Sequence, residues 1–212
     1  NQSPAVLAAL RHCRGTASMK ASDLFVKALE AEGVQYVFGI PGEENLDLLE
    51  SLRTSSIKLV LTRHEQGAGF IAQGMARATG EVGVCMASSG PGATNLLTAI
   101  ADAKLDSIPL VAITGQVPKA MIGTDAFQEV DTYGLSVPIT KHNFLVSSAE
   151  ELLEVLPRAF QIAASGRPGP VLIDIPKDVQ TQAIEISQWP EPGRALPAPL
   201  LETRHDALHE QL

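Results

Sequence analysis

Three observations predict an α/β protein: a three-layer arrangement in which a mostly parallel six-stranded sheet carries helices on both faces. Segments of strand type alternate with segments of helical period along the chain, and short loops join them. That order is the pattern of right-handed crossovers around a parallel sheet. Several strand segments, among them Val82 to Ala87 and Val171 to Ile175, are continuous apolar runs, as strands buried on both faces require. The chain has 212 residues, 45% of them hydrophobic, enough to close one core of ordinary size.

The elements follow in order. Ser22 to Glu32 has apolar residues at helical spacing and stops at Gly33, the place for a left-handed cap. Val34 to Ile40 is a short strand ending at Pro41-Gly42. Asn45 to Leu52 reads as helix and Ile57 to Thr62 as strand. Glu65 to Thr79 is a helix closed by Gly80. Val82 to Ala87 is a strand, Ala93 to Lys104 a helix, and Pro109 to Thr114 a strand. His142 to Val146 is a further strand. Ser148 and Glu151 have capping-box spacing at the head of a helix that runs to Ser165 and ends at Gly166. Val171 to Ile175 is the last strand.

The two ends differ from this pattern. Residues 1–18 contain Arg11 and Arg14 but no acid. They read as an N-terminal extension or cloning residues, with Met19 as the natural start, and a transit peptide is the alternative. The apolar stretch at residues 5–10 is too short for a signal sequence or a membrane span. The domain proper is expected over residues 19–187. Residues 188–212 open on Trp189-Pro190-Glu191-Pro192-Gly193 and read as a Pro-rich linker or tail. His205 and His209 would share a helix face, but with no third ligand a solvated tail helix is the expected reading.

Charge and cysteine content narrow the function. Lys and Arg total 16 against 24 for Asp and Glu, a net charge of -8. The apolar content is too high for disorder, and an acidic domain without a basic stripe argues against nucleic acid. Two cysteines make no disulfide scaffold and fit a reducing compartment, so a cytoplasmic location is expected. Cys85, inside an apolar strand, reads as a buried small hydrophobe. His64 and His142 are isolated and read as structural histidines.

A parallel sheet binds ligands beyond the carboxyl ends of its strands, so the segments there carry the functional reading. Gly90-Pro91-Gly92 lies between a strand and a helix and could receive an anion at the helix N-terminus. It is neither a dinucleotide fingerprint nor a Walker loop, and a tight turn without a ligand explains it as well. Glu65 opens its helix, where an acid gains about 0.3–1 kcal/mol from the macrodipole. The neighbouring Gly67, Ala68 and Gly69 are indifferent helix formers that let a flat group or another backbone approach. A carboxyl group covered by an apolar ligand has a raised pKa, which suits proton exchange near neutrality. Gly115 to Thr132 is longer than an ordinary connection. Phe127 and Gln128 within it read either as an aromatic wall and an amide donor, or as parts of a surface loop with Phe127 tucked onto the core.

Taken in order, these segments resemble a known family. The matching stretches are Val37-Phe38-Gly39-Ile40-Pro41-Gly42, Arg63-His64-Glu65-Gln66-Gly67-Ala68-Gly69-Phe70, Ser89-Gly90-Pro91-Gly92-Ala93-Thr94-Asn95-Leu96, Gly115-Gln116-Val117-Pro118, Gly123-Thr124-Asp125-Ala126-Phe127-Gln128-Glu129, Thr140-Lys141-His142-Asn143 and Gly166-Arg167-Pro168-Gly169-Pro170 through Lys177-Asp178-Val179. Over residues 20 to 187 the chain is similar to the N-terminal, pyrimidine-binding domain of thiamine-diphosphate-dependent enzymes, and specifically to the large subunit of acetolactate (acetohydroxyacid) synthases.

The resemblance implies the following. Glu65 matches the glutamate that hydrogen-bonds N1′ of the cofactor's aminopyrimidine and favours the tautomer that generates the ylide. Gln128 is its catalytic companion. Pro41, Gly42, Ser88, Asn95 and Gln128 match positions lining the cofactor, and Arg167 matches an arginine that contacts FAD. Val117, Pro118, Ala126, Phe127 and Lys177 match residues around the substrate channel. The implied enzyme is a thiamine-diphosphate-dependent transferase. It joins pyruvate to pyruvate or 2-oxobutyrate with loss of CO₂, at the start of branched-chain amino-acid synthesis. The implied partners are a 2-oxo acid substrate, a second copy in a homodimer or higher homo-oligomer, and a small regulatory subunit.

Mg²⁺ and the cofactor's diphosphate are held, in the family, by a C-terminal domain whose signature is not in these residues, so no metal ligand is assigned and this chain alone is expected to be inactive. Glu43 and Glu44 depart from the family, which carries small residues there; they point toward a paralogue acting on another 2-oxo acid. Two other readings stay open: a pyrimidine-binding subunit of a two-chain 2-oxo acid decarboxylase, and a non-catalytic partner that keeps the fold, against which Glu65 and Gln128 argue.

Overall fold

A computed structural model describes residues 17–187 and 189–193. Its centre is a six-stranded sheet in the order β3-β2-β4-β5-β7-β6, and every pairing in it is parallel. The strands are β2 (Tyr36–Gly39), β3 (Lys58–Leu61), β4 (Gly83–Ala87), β5 (Leu110–Gln116), β6 (His142–Leu145) and β7 (Pro170–Pro176). The helices between them are α1 (Ala21–Ala31), α2 (Leu46–Arg53), α3 (Glu65–Thr79), α4 (Pro91–Asp106) and α6 (Leu152–Ala164), with short helices α5 (Thr132–Ser136) and α7 (Lys177–Gln180).

The apolar runs have the physical reason inferred for them. Alternate strand residues feed two cores. Val84, Met86, Val111, Ile113, Val171 and Ile173 pack with Leu24, Phe25, Leu48 and Leu156 of α1, α2 and α6. Cys85, Ala87, Leu110, Ala112 and Leu172 pack with Ala68, Ala72, Leu96 and Ile100 of α3 and α4. The second core is built from small side chains, so its helices come close. A Cβ on Gly83 would lie 2.3 Å from the Ala72 carbonyl oxygen, and one on Gly69 would lie 2.5 Å from Ala99 Cβ.

Local signals set several element ends. Gly33 and Gly80 have φ of 85° and 76° and terminate α1 and α3, the backbone form in which glycine has least steric cost. α4 starts earlier than the pattern suggests, with Pro91 in its first turn, where the missing N–H costs nothing. It ends on Ser107 at φ 59°. The expected capping box is displaced: Glu151 Oε2 accepts the Ser147 backbone N–H at 2.8 Å, its Oε1 takes the Ser147 hydroxyl, and the helix begins at Leu152.

Two elements escape the local pattern. β1 (Ala17–Lys20) and β8 (Ala183–Ile186) pair antiparallel in a separate two-stranded sheet. β1 thus begins at Ala17, ahead of Met19. Of the Pro-rich stretch expected to be a linker or tail, residues 189–193 are described, and they lie against the domain. Trp189 packs on the core and the Gly193 N–H donates to Glu32 Oε1 at 2.5 Å. Cys13, His205 and His209 lie outside the described residues.

Candidate active site

Strand order locates the candidate site before any side chain is considered. β2 is followed by β3 on one side of it, whereas β4 on its other side is followed by β5. The connections therefore diverge between β2 and β4, the topological switch point at which such sheets open a crevice. The loop after β2 holds Pro41 to Asn45, and the turn after β4 holds Ser88 to Gly92. They meet there. The Glu44 N–H donates to Ser88 Oγ at 3.3 Å, and a Cβ on Gly42 would fall 2.4 Å from that of Ser88. Asn45 shapes the first loop: its Oδ1 accepts the Gly42 N–H at 2.9 Å and its Nδ2 donates to the Ile40 carbonyl at 3.3 Å.

Glu65 stands at the first residue of α3, where His64 Nδ1 caps the helix by accepting the Gln66 N–H at 3.1 Å. Its carboxyl is half-buried. Asn95, on the neighbouring α4, donates through Nδ2 to Glu65 Oε2 at 3.0 Å. Glu65 Oε1 faces the other way, 3.5 Å from where Gly92 would carry a Cβ. One oxygen is thus held by Asn95, and the other lies beside the buried Gly92. The small residues after Glu65 divide between two uses. Ala68 is fully buried and Gly69 admits Ala99 of α4, whereas Gly67 has open space around it. Only Gly67 fits the expectation that a ligand approaches the foot of this helix.

The long loop comes to the same place. Gly90, at φ 56°, lies under it: a Cβ there would sit 2.7 Å from the Gln128 carbonyl oxygen. Gln128 itself has φ 62°, a conformation uncommon outside glycine. Phe127 is 82% exposed, so it is not tucked onto the core. Val117 is buried and Pro118 half-buried at the start of the loop, and Ala126 is half-buried near its end.

Lys177, at the head of α7, completes this end of the sheet. Its Nζ lies 3.3 Å from Glu43 Oε1 and 3.8 Å from Glu44 Oε2. Glu44 is 8% exposed. Burial pushes its carboxyl above the usual range, with Lys177 pulling the other way. The two acids that depart from the family thus share one lysine, which donates to Glu43 and lies at ion-pair distance from Glu44.

Arg167 is not part of this cluster. It precedes β7 and lies at the opposite end of the sheet, where its Nε donates to Ser107 Oγ at 2.7 Å and its Nη2 to the Leu105 carbonyl at 3.2 Å. With Lys104 and Lys141 it lines a groove of about 520 Å³. Burial and the neighbouring Lys104 hold the Lys141 ammonium below its usual value. His142 is on β6, its ring edge-on to Phe144 at 4.4 Å. Among the described residues no group of three or more His, Cys, Asp or Glu is placed to hold a metal ion, and no helix is long and apolar enough to cross a membrane.

Comparison with known proteins agrees with this geometry. Residues 19–135 match the family model for the thiamine pyrophosphate enzyme, N-terminal TPP binding domain. The chain is 63% identical over 179 residues to the acetolactate synthase isozyme 1 large subunit of Escherichia coli, covering 84% of this chain and 32% of that protein. It is 54% identical to a probable acetolactate synthase large subunit of Methanocaldococcus jannaschii, over 83% of this chain and 30% of the relative. It is 57% identical to the chloroplastic acetolactate synthase 2 of Nicotiana tabacum, over 82% of this chain and 26% of the relative. The chain thus spans about a third or less of the length of the relatives it matches. The match of residues 19–135, more than half of the chain, with Glu65 and the turns around it inside the matched span, shows that the chain belongs to the thiamine pyrophosphate enzyme family as its N-terminal TPP-binding domain.

Proposed function

We propose that this chain is the pyrimidine-binding part of an acetolactate synthase, which condenses two 2-oxo acids with loss of CO₂. The observation that carries the reading is the Glu65 carboxyl group at the foot of α3, with Oε2 held by Asn95 at 3.0 Å and Oε1 beside Gly92 of the turn after β4. The relatives named acetolactate synthase large subunits support the choice of reaction.

The residues present fit the aminopyrimidine end of the cofactor. Glu65 Oε1 can accept or hand over one proton at a ring nitrogen, and Asn95 keeps the carboxyl from turning away. Gly67 leaves open space at the foot of the helix, and Ser89 Oγ, buried in the turn after β4, has no partner among the described residues. When bound, thiamine diphosphate supplies the nucleophilic carbon and the electron sink that 2-oxo acid chemistry needs. The chain's part is to orient the ring and to exchange that proton. Mg²⁺ and the diphosphate fall to other domains of the family, so these residues alone are expected to be inactive.

Further parts of the proposal rest on the resemblance. Val117, Pro118, Ala126, Phe127 and Lys177 line the substrate channel. The cationic groove of Arg167, Lys104 and Lys141 fits the anionic part of FAD. A 2-oxo acid substrate, a homodimer or higher homo-oligomer, a small regulatory subunit and a cytoplasmic location belong to the same reading.

The test is acetolactate formation from pyruvate with thiamine diphosphate and Mg²⁺, by the product of the open reading frame that encodes these residues. Glu65→Gln keeps the shape and removes the exchangeable proton; turnover is expected to fall by about 10²–10⁴-fold with circular dichroism unchanged. Undiminished turnover in that variant would sink the assignment. A screen of larger 2-oxo acids then tests the Glu43 and Glu44 departure: with Glu43 paired to Lys177 and burial raising the pKa of Glu44, pyruvate is expected to remain the preferred donor.

A further inference from the structure

Asp174 sits in the middle of β7 and has had no role so far. Its side chain is 1% exposed, and in register it stands beside Thr114 of β5 and Leu145 of β6. Oδ1 accepts the Thr114 hydroxyl at 2.7 Å and Oδ2 accepts Gln116 Nε2 at 2.9 Å. No cation pairs with it among the described residues. An acid buried without a cation is costly, and its neighbours along the strand, Ile173 and Ile175, are apolar and fully buried. Packing therefore gives no reason for a carboxyl group at this position.

The Gln116 amide gives one. The same Nε2 that donates to Asp174 also donates to the Val130 carbonyl at 3.0 Å, and Oε1 accepts the Val117 N–H at 2.9 Å. Val117 opens the loop 117–131 and Val130 nearly closes it, so one buried amide ties both ends. An amide keeps its shape when turned over. Turned over here, its NH₂ would face the Val117 N–H and its oxygen would face the Val130 carbonyl. The Val117 N–H and the Val130 carbonyl oppose that, and Asp174 Oδ2, which accepts from Nε2, adds the bond that holds the NH₂ on its own side. The loop so tied carries Gln128, whose backbone lies on Gly90 in the turn that leads to Gly92 and Glu65.

We infer that Asp174 is a positioning residue: it sets the orientation of the Gln116 amide, which clamps the loop 117–131 so that Gln128 rests on the turn beside Glu65. The clamp stands on geometry alone; its consequence for catalysis rests on the proposed synthase reading.

Hydrogen exchange and kinetics on the same protein test the two halves separately. Asp174→Leu keeps the branched shape and removes both acceptor oxygens, so it breaks the clamp, whereas Asp174→Asn can turn its oxygen to Gln116 Nε2 and its NH₂ to the Thr114 hydroxyl and is expected to keep it. In Asp174→Leu the Val117 amide is expected to exchange at least about tenfold faster, while the amides of Ile113 and Ile173 keep their protection. Thr114→Val removes the other hydrogen bond to Asp174 and is expected to leave Val117 unchanged. Gln116→Met is expected to reproduce the Asp174→Leu effect, and the two together to add nothing further. If Asp174→Leu does not fold, Gln116→Met against Thr114→Val carries the same contrast. In turnover, Asp174→Leu is expected to raise the KM for thiamine diphosphate about tenfold with a smaller change in kcat. Unchanged Val117 exchange in folded Asp174→Leu or Gln116→Met overturns the inference. So does equal acceleration in Thr114→Val, which would mean that Asp174 only supports the sheet. If the parent forms no acetolactate, the synthase reading fails and the exchange result still decides the clamp.

Discussion

At the scale of single residues, the site is a set of places where a side chain is held and others where it is left out. Glu65 is held by Asn95; Gly42, Gly90 and Gly92 leave room for Ser88, Gln128 and Glu65. Two substitutions separate these uses. Gly90→Ala forces a Cβ to within 2.7 Å of the Gln128 carbonyl oxygen at a φ of 56°. It is expected to cost about 1–3 kcal/mol in denaturant unfolding and to displace the long loop. Gly67→Ala meets nothing within 4 Å and sits in a helix, so it is expected to stabilise the chain by about 0.5–1 kcal/mol. If the cofactor ring uses that space, the same variant binds thiamine diphosphate more weakly, which calorimetry reads directly. Glycine content marked this region in the sequence, but the spacing could not say which glycine serves a ligand and which serves a neighbouring helix. Gly69 and Gly67 are two residues apart and do different things.

At the scale of elements, helix ends and buried strands were legible and cap partners were not. Gly80 stops α3 because glycine accepts a left-handed φ, and no atom crowds it. Gly80→Ala is therefore expected to cost about 1 kcal/mol through backbone strain alone, measured as a shift of the unfolding midpoint. Ser148 and Glu151 have the right spacing for a capping box, yet Glu151 reaches Ser147, because the chain turns in from β6 one residue earlier than the motif assumes. Cys85 was readable as a buried hydrophobe from the apolar run around it. Its thiol is fully buried, and burial alone pushes its pKa up to about 12. A thiol reagent at neutral pH is expected to label it only as fast as the protein unfolds.

The whole molecule adds a linkage between pH and stability. Burial pushes the Asp174 carboxyl from an ordinary value of 3.8 up to about 7, with the Thr114 and Gln116 hydrogen bonds pulling it back. The folded protein therefore holds a proton that the unfolded chain releases between those values. That contribution is fully present below about pH 4 and is lost as pH rises through about 7. The urea midpoint of the parent is expected to fall from pH 5 to pH 8 relative to that of Asp174→Asn, in which this position does not titrate. Parallel curves for the two proteins would contradict the linkage.

Local information in the chain determined where the sheet strands and their covering helices fall along it, the glycine-ended helices, and the position of Glu65 at the start of α3. Each of these depends on periodicity or backbone preference within a few residues. The family motifs, ordered as they are, pointed to the same crevice. Only the tertiary structure decided that Asn95 holds Glu65 across 30 positions, that Lys177 takes up Glu43 across 134, and that Asp174 reaches Gln116 across 58. It also decided that β1 closes on β8 at the far end of the chain. Those contacts join residues far apart in the chain, and which strands and helices lie side by side is settled by packing across the whole sheet, which no local pattern encodes.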